Sequence, residues 1–105
     1  MRDKLPQHLV RFRKAHPGIY DAFEELGRRV HEEGSLSERE RRLVKIGIAM
    51  GAGTEGGVHS AVRHAVAGAC TREDVEHAIR LGITTLGWPR AMAALSWIDD
   101  VYEEP

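Results

Sequence analysis

Apolar residues along this chain recur at intervals of three and four, with polar residues filling the gaps, and no stretch alternates in the period-two manner of a strand. Leu5 to Ala15 reads as a short amphipathic helix with Arg11, Arg13 and Lys14 on its polar side. His16-Pro17 breaks it, because the residue before a proline is pushed out of helical geometry. Pro17 then suits the first turn of a second helix reaching about Glu33, with Ile19, Phe23, Leu26 and Val30 as its stripe. Gly34 is expected to stop that helix in a left-handed conformation.

Ser37 and Glu40 have the spacing of a capping box. The helix they open is expected to turn Leu43, Ile46, Ile48 and Met50 toward a core, and to end at Gly51-Ala52-Gly53. Glycines this dense, with Gly56-Gly57 close behind, point to close backbone approach or a turn needing positive φ. A further helix is expected from Glu55 or Gly57 to Ala69. Thr71, with Asp74 placed for the reciprocal bond, caps another whose stripe is Val75, Ile79, Ile83 and Leu86. After Gly87-Trp88-Pro89 a last helix places Ala91, Ala94, Leu95, Ile98 and Tyr102 on one face and Asp99, Asp100 and Glu103 outward. The prediction is an all-α single domain over 1–105, with N-terminal helices in 1–34 and a main helical block over 36–102.

Composition narrows the function. A length of 105 residues with 42% hydrophobic and 30% charged side chains describes an ordinary globular domain. Fifteen basic residues against sixteen acidic ones leave no electrostatic case for nucleic acid or an anionic membrane. No apolar run approaches the length of a membrane span, and the N-terminus carries no apolar secretory core. A cytoplasmic location is expected, and a single cysteine, Cys70, fits a reducing compartment.

Four segments in a fixed order then carry a resemblance. They are Arg41-Arg42-Leu43-Val44-Lys45-Ile46-Gly47-Ile48-Ala49 on a capped helix, the loop from Gly51 to Ser60, Ala69-Cys70-Thr71-Arg72-Glu73-Asp74-Val75, and Leu86-Gly87-Trp88-Pro89-Arg90-Ala91-Met92. Over Leu36 to Tyr102 the chain resembles the carboxymuconolactone decarboxylase/alkylhydroperoxidase (AhpD-like) family. The resemblance implies an all-α subunit around a central antiparallel helix pair, assembled as a homo-oligomer, commonly a trimer or hexamer. Redox relatives carry Cys-x-x-Cys-x-x-x-His at the start of the helix that here follows Gly53. With the register set by Thr71 to Asp74, Thr54 and Gly57 stand in place of the cysteines, Ala61 in place of the histidine, and Arg42 near the place of a glutamate. A dithiol peroxidase needs an attacking thiolate and a resolving thiol within one helical turn. Hydroxyl groups replace neither, so thiol-peroxidase activity is the least expected function.

Imidazole and carboxylate remain. Glu55 and His59, four apart on one helix, can form a pair suited to general acid–base work such as proton transfer or decarboxylation of a small organic acid, and the resemblance implies decarboxylase-like chemistry on a lactone. A capping or interface role for His59 is the alternative, as is a non-catalytic oligomeric ligand-binding or scaffold protein. Arg42, Thr54 and Ser60 are the candidate substrate contacts, Arg42 through a two-pronged grip on a carboxylate. A small pocket is expected near Gly53–Ser60 at a subunit boundary. No cofactor is implied. His64 lies about 140° around the helix from His59, Glu73 and His77 have a common surface spacing, and no metal-ligand motif appears within the chain. Cys70 is either activated by the helix start beside it or a small buried hydrophobe.

Overall fold

The structure is a computed structural model and describes residues 5–103. Among these residues seven helical segments and no strand are found. They divide into two compact units, one ending at Ser35 and the other beginning at Leu36.

The N-terminal unit holds α1 (Gln7–Ala15) and α2 (Pro17–Glu32), separated at His16-Pro17 as the sequence pattern requires. Ile19, Phe23, Leu26 and Val30 do line one face of α2, yet each remains 58–67% exposed. The helix stops without the left-handed glycine expected at Gly34: Glu33 closes it by donating its N–H to the Arg29 carbonyl, and φ stays negative at Gly34.

The second unit starts at a complete capping box. Ser37 Oγ accepts from the Glu40 N–H, and the Glu40 carboxylate accepts from the Ser37 N–H, opening α3 (Glu38–Ala52). Gly53, at φ 75°, ends α3 in the left-handed region. Arg90 covers that end, its Nη1 donating to the Gly51 carbonyl at 2.8 Å, a cation placed against the negative end of the helix. α4 (Glu55–Ala67) returns antiparallel to α3: Ala49 lies against Gly57 at one end of the pair and Arg42 against Gly68 at the other. α4 is two residues shorter than expected because Ala69 turns left-handed, at φ 67°, letting the Cys70 N–H reach the Ala65 carbonyl. Alanine pays a steric cost in that region which glycine avoids. Ala69→Gly is therefore expected to raise stability by about 1 kcal/mol, read as a higher urea midpoint at unchanged slope.

Thr71 and Asp74 form the second capping box, at the head of α5 (Arg72–Arg80). The bond from the Thr71 N–H holds the Asp74 carboxyl below its ordinary range. The expected single stripe from Val75 to Leu86 is broken. The helix is interrupted at Leu81-Gly82 and resumes as the one-turn α6 (Ile83–Leu86); a side chain at Gly82 would collide with the Met50 methyl. Val75 and Ile79 are buried, whereas Leu86 is exposed. Gly87, at φ 99°, leads into α7 (Trp88–Tyr102).

The core of this unit is aliphatic: Ile46, Met50, Val58, Val62, Val75, Ile79, Ile98 and Val101, with small Ala65, Ala91 and Ala94 where helices approach closely. Val101 belongs to it although the face drawn through Ala94 and Ile98 omitted it. Ile48 does not belong to it, being 60% exposed. No polar side chain among the described residues is buried. Cys70 is buried in this core's edge, and desolvation raises its thiol pKa against the pull of Arg39 and Arg42. Of its two candidate roles, the buried hydrophobe is the one the structure shows.

Candidate functional site

Glu55 occupies the first turn of α4, where a carboxylate suits the positive end of a helix, and His59 follows one turn later on the same face. Packing of α7 along α4 adds a third group. His59 Nε2 lies 3.2 Å from Asp100 Oδ2 and 3.7 Å from Glu55 Oε2. The imidazole is four-fifths covered, its side chain 20% exposed, while both carboxylates stand 56% exposed at the rim. A largely covered imidazole thus faces two acidic groups that open to solvent.

Asp100 was invisible as a partner in the sequence. Counting helix faces correctly sends it outward, and only the packing of α7 on α4 reveals that His59 reaches the same rim from 41 positions earlier.

The other candidate contacts are distributed differently. Ser60, adjacent to His59, is exposed, and its carbonyl lies 2.9 Å from His64 Nδ1. Thr54 is exposed at the N-cap of α4, with its hydroxyl bonding no helix N–H. A Cβ placed on Gly57 would run into Thr54 Oγ1 and would lie 3.7 Å from Thr54 Cβ. Positions 54 and 57 therefore face one another across one turn. Arg42 is not brought to His59. It lies against Gly68, nine residues further along α4, roughly 14 Å away by helix rise, and its Nη2 is 3.8 Å from Glu38. Antiparallel pairing forces this, because the start of α3 meets the end of α4.

The pocket expected near Gly53–Ser60 belongs to a boundary between subunits. The space at Gly53 is filled by the Arg90 guanidinium and that at Gly57 by Thr54 and Ala49, so these glycines serve close packing. Within the chain, a groove of about 640 Å³ lies between α3 and α5–α6, walled by Leu43, Val44, Ile48, Met50, Ala78 and Leu86. The Arg39–Asp74 ion pair, at 2.6 Å, and His77 also line it. His59 is not among its walls.

This arrangement of helices is shared. The profile of the carboxymuconolactone decarboxylase family matches residues 17–100, about four-fifths of the chain. The chain belongs to the carboxymuconolactone decarboxylase family. A crystal structure of apo-lpg0406, a carboxymuconolactone decarboxylase family protein from Legionella pneumophila, superposes with a TM-score of 0.80 at 22% identity, covering 91% of this chain and 86% of that one. At that identity the likeness speaks for the fold alone. No curated protein matches the sequence. Within the carboxymuconolactone decarboxylase family this chain is an AhpD-like member with one cysteine, so it has no Cys-x-x-Cys pair. None of its described helices is long and apolar enough to cross a membrane.

Proposed function

We propose that this carboxymuconolactone decarboxylase family protein performs acid–base, decarboxylase-like chemistry on a small organic acid or lactone, with His59 as the proton-transfer group. The observation that carries the proposal is the convergence of Asp100 and Glu55 on His59 Nε2. A carboxylate at Nε2 favours the tautomer with its proton there, and it stabilises the imidazolium formed when the other nitrogen, Nδ1, takes up a proton. Asp100, at hydrogen-bond distance, orients the ring; Glu55, slightly further, adds negative potential. Arg42 takes no part with His59 within one chain, and Thr54 and Ser60 remain the nearest candidate contacts for a substrate.

The test is a screen of small carboxylated lactones and related acids for product formation, followed by substitution. His59→Gln is expected to lower turnover on any substrate found by about 10²–10⁴-fold, the usual share of a general acid–base group. Unchanged turnover would remove His59 from the mechanism.

A second proposal, a non-catalytic ligand-binding or scaffold role, is favoured by the apolar groove between α3 and α5–α6, which His59 does not line. It expects small apolar molecules to raise the melting temperature with no product formed. Assembly as a homo-oligomer, trimer or hexamer, belongs to both proposals. Exposed Ile19, Phe23, Leu26 and Val30 on α2 and Trp88 at the head of α7 supply apolar surface for it.

A further inference from the structure

We infer that Glu55, His59 and Asp100 form a binding site for a divalent transition-metal cation of the zinc type. Their ligand atoms, one imidazole nitrogen and two carboxylate oxygens, all lie within 4.8 Å of one another. Two of the separations, 3.2 and 3.7 Å, bracket the distance of about 3.4 Å that separates two ligands of a tetrahedral ion with bonds near 2.1 Å.

The geometry fits a cation better than a proton. A proton on Nε2 points along one bond and serves one acceptor, which here is Asp100. Glu55, at 3.7 Å, is beyond hydrogen-bond reach of the same nitrogen, so two carboxylates are gathered where a single proton satisfies one. A divalent ion placed among the three atoms meets all of them at once and offsets the repulsion between the two acids. The imidazole favours zinc and its neighbours over magnesium or calcium, whose preferred ligands are all oxygen. The carboxylates are exposed, so the remaining coordination positions open to water or to a small ligand.

Glu55 and His59 are held one turn apart on α4, and Asp100 is fixed by the packing of α7. The ligand set is thus drawn from two helices of one folded unit rather than from a mobile loop. The spacing Glu-x-x-x-His is visible in the sequence, but the third ligand is not. Binding at Nε2 displaces any proton there and withholds the ring from proton transfer. The cation would then act as a reversible inhibitor of the proposed acid–base chemistry; that consequence rests on the proposed function, whereas the binding itself does not.

Calorimetric titration of chelator-treated native chain with Zn²⁺, without any substrate, tests the site, with Mg²⁺ as the comparison. One zinc per chain is expected, with little heat from magnesium. Asp100→Asn and Glu55→Gln keep shape and change exposed groups, so the fold should survive; each is expected to weaken zinc by about tenfold or more. His64→Ala and His77→Ala should leave the affinity within about twofold, a difference below ~0.5 kcal/mol at RT of about 0.6 kcal/mol. No saturable binding by the native chain, or equal affinity in the Asp100→Asn and His77→Ala chains, would overturn the inference. Zinc binding with no turnover on any substrate would keep the site and sink the acid–base proposal.

Discussion

Thr54→Cys combined with Gly57→Cys is expected to close a disulfide within one helical turn, while the native chain consumes no peroxide above background with a dithiol reductant. A Cβ on Gly57 would lie 3.7 Å from Thr54 Cβ, inside the 3.5–4.5 Å range that disulfides use. The backbone therefore already holds the two positions as a bridged pair requires. Glycine at 57 also avoids the contact that any side chain would make with Thr54 Oγ1. Both positions stand at the N-terminus of α4, where exposed N–H groups favour a thiolate. The sulfur that the native chain does possess offers no substitute. Cys70 is buried, its thiol pKa is raised by desolvation, and it lies beyond the far end of α4. Thiol counting with and without denaturant, and the mass loss of two hydrogens, would register the engineered bridge. Native peroxide turnover that disappears in Cys70→Ser would contradict the exclusion of thiol chemistry.

The helices were legible because their punctuation is local. Ser37 with Glu40, Thr71 with Asp74, and His16-Pro17 each act over three or four residues, and each acts in the fold as the sequence implies. Several of the departures arise where one helix packs on another. Ile48 looks like a core residue by hydrophobicity, but it lies two positions from both Ile46 and Met50, about 200° from each around α3, on a face no other helix of its unit covers. The stripe from Val75 to Leu86 passes through Gly82, where the Met50 methyl leaves no room for a side chain. Arg42 and His59 are separated because the pairing of α3 and α4 is antiparallel, which the resemblance itself implied. Applying that pairing residue by residue would have placed Arg42 beside the end of α4. Asp100 was beyond reach for a different reason: no periodicity within α7 says which rim of α4 it will meet.

Two isoleucines on one helix turn this distinction into a measurement. Ile46→Ala is expected to cost about 3 kcal/mol, within the 2–5 kcal/mol seen when a fully buried isoleucine is truncated and a cavity remains. Ile48→Ala, two residues away and 60% exposed, is expected to cost less than about 0.5 kcal/mol. Both substitutions remove the same atoms and change helix propensity alike, so burial alone separates them. The larger loss is severe for so thin a core. At roughly 0.05–0.15 kcal/mol per residue a helical unit of this size holds only about 3–10 kcal/mol in total, and a single truncation takes a large part of it. Urea unfolding at matched protein concentration reads both values, with an unchanged slope as the sign that only stability has moved. Equal losses at the two positions would mean that Ile48 is covered in solution. The groove it walls would then be filled by another copy of the chain, and diluting the protein would bring the Ile48→Ala cost back toward zero.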